Sequence, residues 1–228
     1  MNAARDRIMA SVRDGLLRAV LPDAAADLAG RWVPPGPALP RDTLVDQFGR
    51  ALTSLTGHLH HAATASAAAD VIAGIAASQG ATSYLSWDDE HLGCAGLLSL
   101  LESLGLARVT YDVPGDPVER RRRTHELAEA GLGLTGAHAA LADSGAIVLV
   151  SGPGRGRLAS LLPPVHVAIV SERRMWPSLP ALVGAEPGLL DAGSNVVIVA
   201  GPSRTADIEM TLTHGVHGPK HVHVILMP

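Results

Sequence analysis

A chain of 228 residues, 47% of them hydrophobic, is long enough for one large domain, or one domain with an appendage, around a sizeable core. A formal net charge of -4 and 3% aromatic content supply neither the positive field nor the stacking platforms on which nucleic-acid binding depends. One cysteine, Cys94, cannot form an intrachain disulfide, and alone it builds neither a thiolate zinc site nor an iron–sulfur site, so no cofactor is expected on this chain.

Arg, Asp, Glu, His or Gly interrupts every apolar run before it reaches the roughly 18 residues of a membrane-crossing helix. The N-terminal "MNAARDRIMASVRDGLLRAV" has no unbroken apolar segment and carries Asp6 and Asp14, which predicts a soluble, cytoplasmic protein. Ile8, Val12, Leu16, Leu17 and Val20 recur at helical spacing, so residues 4–20 are expected to form an amphipathic helix. "VPPGPALP", 33–40, breaks regular structure. The expected organisation is an N-terminal helix and Pro-rich linker over 1–38 and a main domain over 39–228.

The Ala-rich "AATASAAADVIAGIAASQG" predicts a packing helix. Strand-like and helical runs then alternate: strand 81–87, helix 91–104, strand 107–113, helix 117–130, strand 132–136 and a short helix 137–142. Strands 146–151, 165–170 and 195–200 follow, then a helix over 204–213 and a last strand over 221–227. This alternation predicts an α/β fold, a three-layer sandwich around a mostly parallel sheet.

In such a sheet, ligands bind outside the carboxyl ends of the strands, where loops lead into helices. "GPSRT" (201–205) is expected to take that place. Gly201 and Pro202 turn the chain, Ser203 or Thr205 caps the following helix, and Arg204 offers a planar cationic fork to a carboxylate or phosphate. The helix start adds free N–H donors and partial positive charge. Ordinary capping accounts for the same residues, because Asp207 and Glu209 would suit the dipole of any helix. Beyond them, "THGVHGPK" places His214, His217 and Lys220 in a return loop. Gly215 and Gly218 there suit either a helix C-cap or a backbone that approaches a ligand. His214 and His217 resemble half a metal site, but no adjacent acid or thiol completes it. "HLHH" (58–61) is no stronger, so no metal is expected.

The second dense region is "DSGAIVLVSGPGRGR", 143–157. Asp143 is a candidate acid, base or nucleophile, although an Asp ahead of a turn commonly serves the backbone instead. "SGPGRGR" is glycine-rich and doubly basic, yet it lacks the endings of a P-loop and of a dinucleotide fingerprint. "ERRRRTHE" (119–126) reads as a solvated helix face.

Taken together, "ADSGAIVLVSGPGRGRLASLLPPVHVAIV", "GPSRTADIE" and "GVHGPK" resemble the C-terminal signature of the LUD-domain family, in particular its lactate-utilisation protein C branch. The resemblance covers about residues 130–228. Where that family commonly has Glu-Thr-Gly, this chain has Asp143-Ser144-Gly145, which keeps a carboxylate and a hydroxyl but shortens the acid by one methylene. The resemblance implies a fold similar to the sugar-isomerase and CoA-transferase-like α/β group. It also implies a cluster-free subunit of an L-lactate-oxidising complex, with the iron–sulfur clusters on its partner proteins. Ser203, Arg204, Thr205, His217 and Lys220 would then line one rim of an anion-binding crevice. Asp143, Ser144, Gly145 and Arg157 would face them, with Gly201, His214 and Gly218 shaping the loops, around a small carboxylate or phosphorylated ligand. Two other functions stay open: a stand-alone transferase or isomerase using Asp143 with Arg204 as anchor, and a regulatory metabolite-binding protein.

Overall fold

The computed structural model describes residues 2–18, 39–206, 212–214 and 218–228. It forms two units, Met1–Pro34 and Pro35–Pro228. In the first, α1 (Asn2–Arg18) is the amphipathic helix, steadied by an Arg18–Asp14 pair at 2.7 Å, with Ile8, Met9, Val12 and Leu17 exposed. Val20 and linker residues 33–38 lie outside the described residues. Among the described residues no helix is long and apolar enough to cross a membrane.

The second unit runs α2 (Arg41–Ser54), β1 (His58–His61), α3 (Ala65–Gln79), β2 (Ser83–Ser86), α4 (Leu97–Ser103), β3 (Ala107–Val109), α5 (Pro117–Ala128), β4 (Leu132–Gly136), β5 (Ala139–Leu141) and β6 (Ala146–Ser151). It continues through β7 (Val165–Ser171), β8 (Met175–Trp176), α6 (Leu179–Ala185), β9 (Asn195–Val199), β10 (Arg204–Ala206), β11 (Leu212–His214) and β12 (His221–Met227). Local chemistry sets the helix ends. The Thr64 hydroxyl accepts from Ala67 N at 3.1 Å to start α3, and Gly80 at φ 65° ends it. Asp116 accepts from Val118 N and Glu119 N ahead of α5, where Pro117 has no N–H that needs an acceptor.

Six strands form an all-parallel sheet in the order β1-β12-β7-β4-β2-β3. Its central strand β7, "VHVAIVS", is buried along almost its whole length, as expected of a parallel strand covered on both faces. α2 places Leu44, Phe48 and Leu52, four residues apart, in the core. A second sheet, β8-β5-β6-β9, starts at the carboxyl end of β4, which β5 follows after only Ala137 and His138, and buries Ala140, Ile147, Leu149 and Met175 in the main core with Phe48 and Leu52 of α2. β5 pairs parallel with β8 and antiparallel with β6, and β6 pairs antiparallel with β9. This sheet has its own apolar cluster around Leu141, Val148, Val150, Leu182 and Leu189.

Three expectations from the sequence are corrected. Residues 139–141 form a strand where a short helix was expected, because β6 and β8 offer a ladder on both sides. The helix expected over 91–104 is a 3-10 turn at Asp89–His91 and a separate α4, parted by Gly93 and Gly96 at φ 71° and 78°. The helix expected over 204–213 is replaced, in its described residues, by an antiparallel pair in which Arg204 faces His214 and Ala206 faces Leu212.

Close packing makes one glycine a sharp test of this arrangement. A Cβ on Gly133 would lie 1.8 Å from the Ala159 carbonyl oxygen, which belongs to backbone and cannot rotate away. Gly133→Ala should therefore destabilise the fold by about 3 kcal/mol or more, read as a lower urea midpoint. An unchanged midpoint would show that the 157–160 turn does not press on β4.

Candidate functional site

The carboxyl ends of β2 and β4 are closed by the glycine-rich loop that follows β6. Asp88 N donates to Gly154 O at 2.9 Å, the Trp87 indole Nε1 donates to Gly156 O at 2.9 Å, and Gly152 and Arg155 exchange backbone hydrogen bonds at 3.1 and 3.0 Å. The loop depends on its glycines: Gly154 has φ 68°, and a Cβ there would meet the Asp88 carboxylate at 2.7 Å, while one on Gly156 would strike the Tyr111 ring at 2.1 Å. Arg108 holds Asp88 at 3.0 Å on the rim.

Beneath this loop is a cavity of about 250 Å³ lined by Trp87, Glu90, His91, Gly136, Ala137, His138, Val150 and Arg155, among others. It has room for a few heavy atoms, far less than a dinucleotide. Arg155 lines this cavity; its Nε is buried without a hydrogen-bond partner, and among the described residues it has no ion pair. A buried N–H in that state carries an uncompensated desolvation cost, and a guanidinium at a cavity wall can bind a carboxylate.

His138, on the wall formed by the β4–β5 connection, is held firmly. Its Nε2 lies 2.6 Å from Glu186 Oε2, Arg174 Nη2 lies 2.7 Å from Glu186 Oε1, and Arg174 Nε donates to the His138 carbonyl at 2.7 Å. Burial pushes the Glu186 carboxyl upward, but hydrogen bonds and charge from His138 and Arg174 outweigh it and hold the group below its usual value. An ionised Glu186 accepts the Nε2 proton. Arg174 Nη2 also lies 2.7 Å from Nε2.

Several residues singled out in the sequence gather elsewhere. Gly201, at φ 76°, rests on Leu55, where a Cβ would come within 2.8 Å of that side chain. Ser203 N donates to Pro219 O at 2.9 Å, and Gly218 packs against the Ser203 side chain. Lys220 is exposed and lines an open groove of about 560 Å³ with Thr53, Thr56, His58, His60 and His221. Asp143 and Ser144 are exposed at the β5–β6 turn. Gly145, at φ 64°, presses on α2, where a Cβ would lie 2.3 Å from Leu52 N. Both turns thus meet the end of α2, but Asp143 lines a separate cavity of about 590 Å³ with Gln47 and Arg50. Arg157 is not among them. It reaches Asn195, at the start of β9, at 3.4 Å, whereas Gly201 lies past the end of that strand. Arg204, Thr205 and His214 are placed by backbone only, and His217 lies outside the described residues.

The described residues at the two ends of the 201–220 stretch therefore sit at the amino ends of β1 and β12, not at the carboxyl ends, and form no helix N-terminus. The distinctive feature there is a histidine cluster. His60 Nε2 and His223 Nδ1 are 3.0 Å apart, and the rings of His58 and His223 stack at 4.7 Å. Burial, then the neighbouring histidines, lowers the pKa of His60 and brings His223 down to about 3, so these two rings are neutral near pH 7. Among the described residues no three His, Cys, Asp or Glu side chains converge as metal ligands.

The sequence reading passed over Arg155, His138, His91 and Trp87. The alternating glycines of "GPGRG" were a usable signal for Arg155. No local pattern marks His138, because its partner Glu186 is 48 residues away.

The fold is that of an α/β protein with a parallel sheet, a second sheet packed into the same core, and a glycine loop over the carboxyl ends of β2 and β4. Residues 45–227 match the LUD domain family, and the chain belongs to that family. Lactate utilization protein C of Halalkalibacterium halodurans is 37% identical over 144 residues, 61% of this chain and 60% of that protein. A protein of the same name from a Geobacillus species is 32% identical over 158 residues, 67% of this chain and 65% of that protein. The chain thus spans less than two thirds of the length of either relative. A DUF162 family protein from Deinococcus radiodurans, solved as a crystal structure, superposes with a TM-score of 0.59 at 22% identity, covering 84% of this chain and 100% of that one. At this identity the likeness concerns the fold.

Proposed function

We propose that this chain serves lactate utilisation as the cluster-free, small-carboxylate-binding component of an L-lactate-oxidising system. The observation that carries this reading is Arg155, a cation that lines a cavity of about 250 Å³ and whose Nε is buried and unpartnered. The relatives named for lactate utilisation supply the substrate class. Oxidation of L-lactate to pyruvate releases two electrons and two protons, and the electrons pass to iron–sulfur centres on partner proteins. Cys94, the single cysteine, is buried, and its thiol is pushed up by burial and then by Asp89, which favours the protonated form over a thiolate ligand.

Reconstitution tests the proposal. With cysteine-rich iron–sulfur partners and an artificial electron acceptor, conversion of L-lactate to pyruvate should require this chain and fall about 100-fold with Arg155→Met. Arg204→Ala, at the anchor expected from sequence alone, should leave it within about threefold. Full activity without the chain would overturn the reading. A stand-alone transferase or isomerase reading draws support from Asp143 beside Arg50 in its own cavity. It predicts turnover by the isolated chain that Asp143→Asn abolishes.

A further inference from the structure

The charges of α5 are not spread evenly around the helix. Four arginines and two glutamates give it a formal charge of +2 in a chain of -4. Two of the four arginines are neutralised in place: Arg122 pairs with Glu126 at 2.8 Å, and Arg123 pairs with Asp112 at 2.7 Å and Glu126 at 3.0 Å. Arg120 is held but not neutralised, because its Nε and Nη2 donate to the carbonyls of Pro114 and Gly115 at 3.0 and 2.8 Å. Arg121 has no hydrogen bond or ion pair of its side chain among the described residues. Arg120 and Arg121, with Thr124 and His125, line a groove of about 620 Å³. Pro117 and Ala128 on the same helix and Leu162 on the facing turn give it apolar surface, and no carboxylate lines it. Spacings of three and four residues put the helical groups on one side of α5. Val118, one turn before Arg121, is 77% exposed beside them.

We infer that this groove is where an iron–sulfur partner protein docks, through an acidic face that also carries apolar side chains. This rests on the reading of the chain as the cluster-free component of a lactate-oxidising system and adds the surface on which that system assembles.

The place of the groove supports the inference. Its wall opposite α5 is the turn that continues the glycine loop: Leu162 N donates to Leu158 O at 2.9 Å, and Leu158 N donates to the Tyr111 hydroxyl at 3.2 Å. The Tyr111 ring packs on Gly156 of that loop, and Arg123 ties α5 to the Thr110 carbonyl. A partner seated on α5 is therefore beside the loop that covers the Arg155 cavity, where electrons leaving a bound substrate must be collected. Other occupants fit less well. Arg120, Arg121 and His125 are exposed, so a small anion there would compete with water and salt on every side. A nucleic acid would find no Phe, Tyr or Trp in the groove for its bases, and its phosphates have nothing to set against Pro117, Val118 and Leu162. A protein face supplies carboxylates for Arg120 and Arg121 and apolar side chains for the rest.

The test measures association of the full chain with purified cysteine-rich iron–sulfur partners. The dissociation constant should rise about tenfold when NaCl goes from about 50 to about 200 mM. At the lower salt Arg121→Glu should weaken association by about 30-fold, and the variant should fold, since Arg121 is exposed. Arg173→Glu, an equal change of charge at an exposed residue outside the groove, should stay within about twofold of the native chain. The L-lactate affinity of the isolated Arg121→Glu chain should be unchanged, which separates docking from the Arg155 anchor. Association that survives Arg121→Glu, is indifferent to salt, or falls equally with Arg173→Glu would overturn the docking site and leave the proposed function standing. So would a loss of L-lactate affinity in Arg121→Glu, or a DNA duplex that binds the native chain and not this variant. If the partners neither bind the chain nor need it for turnover, the proposed function fails and this inference with it.

Discussion

Arg155→Met should weaken binding of small carboxylates by about 100-fold and yet leave the chain as stable as before, or more stable by about 1 kcal/mol. The two signs have one cause. In the free protein Arg155 has a buried Nε with no partner, so removing the group relieves the desolvation cost of that unpaired N–H instead of breaking a bond. In the complex the same group would make charge-assisted, two-pronged hydrogen bonds, and truncating such a pair costs about 2–5 kcal/mol. Arg155→Lys keeps the charge but loses the planar fork and should fall between the two. Titration of the variants with L-lactate, beside urea unfolding of each, reads both effects. Lost affinity together with lost stability would make Arg155 a structural residue, and unchanged affinity would remove it from the site.

Acid should weaken the fold through histidines that it buries uncharged. His166, fully buried with Nε2 against the Thr135 hydroxyl at 2.9 Å, has its pKa lowered by burial to about 4. Burial and neighbouring histidines lower that of His223 to about 3. Between pH 6.5 and these folded values only the unfolded chain takes up the protons. Stability is therefore fully present above about pH 6.5 and falls as the pH drops toward 4. For His166 the loss is about 3 kcal/mol over that window. His223 is less completely buried and adds a smaller, solvent-screened amount in the same direction. His166→Gln should flatten the dependence of unfolding free energy on pH, whatever it does to stability at pH 7. An unchanged slope would show that His166 is not carried neutral into the folded state.

The parts of the fold legible in the sequence were those with one dominant signal. β7 and β12 are apolar runs buried in a parallel sheet, and the Ala-rich run forms the packing helix α3. Strand direction was not legible. Residues 195–200 look like any apolar strand, but β9 pairs antiparallel with β6, so the loop after it cannot lie at the carboxyl end of the parallel sheet. This is why the region around Lys220 and the cavity around Arg155 are separate places. Nor did sequence spacing choose between Arg155 and Arg157. That choice is made by Tyr111 against Gly156 and by the Trp87 indole on the Gly156 carbonyl, contacts across more than 40 residues of chain. The alanines of 139–142 favour helix locally, and the ladders of β6 and β8 override them. Thr205, Ile208, Thr211 and Thr213 are β-branched, and the 204–214 region carried that strand signal beside the helix start read from "GPSRT".

The most direct measurement is a crystal structure of the full chain grown with L-lactate or pyruvate. The account predicts the carboxylate on the Arg155 guanidinium under the 152–156 loop, at about 2.8 Å. A ligand bound in the histidine groove beside Lys220, with the Arg155 cavity closed to it, would contradict the account and place the site at the opposite end of the sheet.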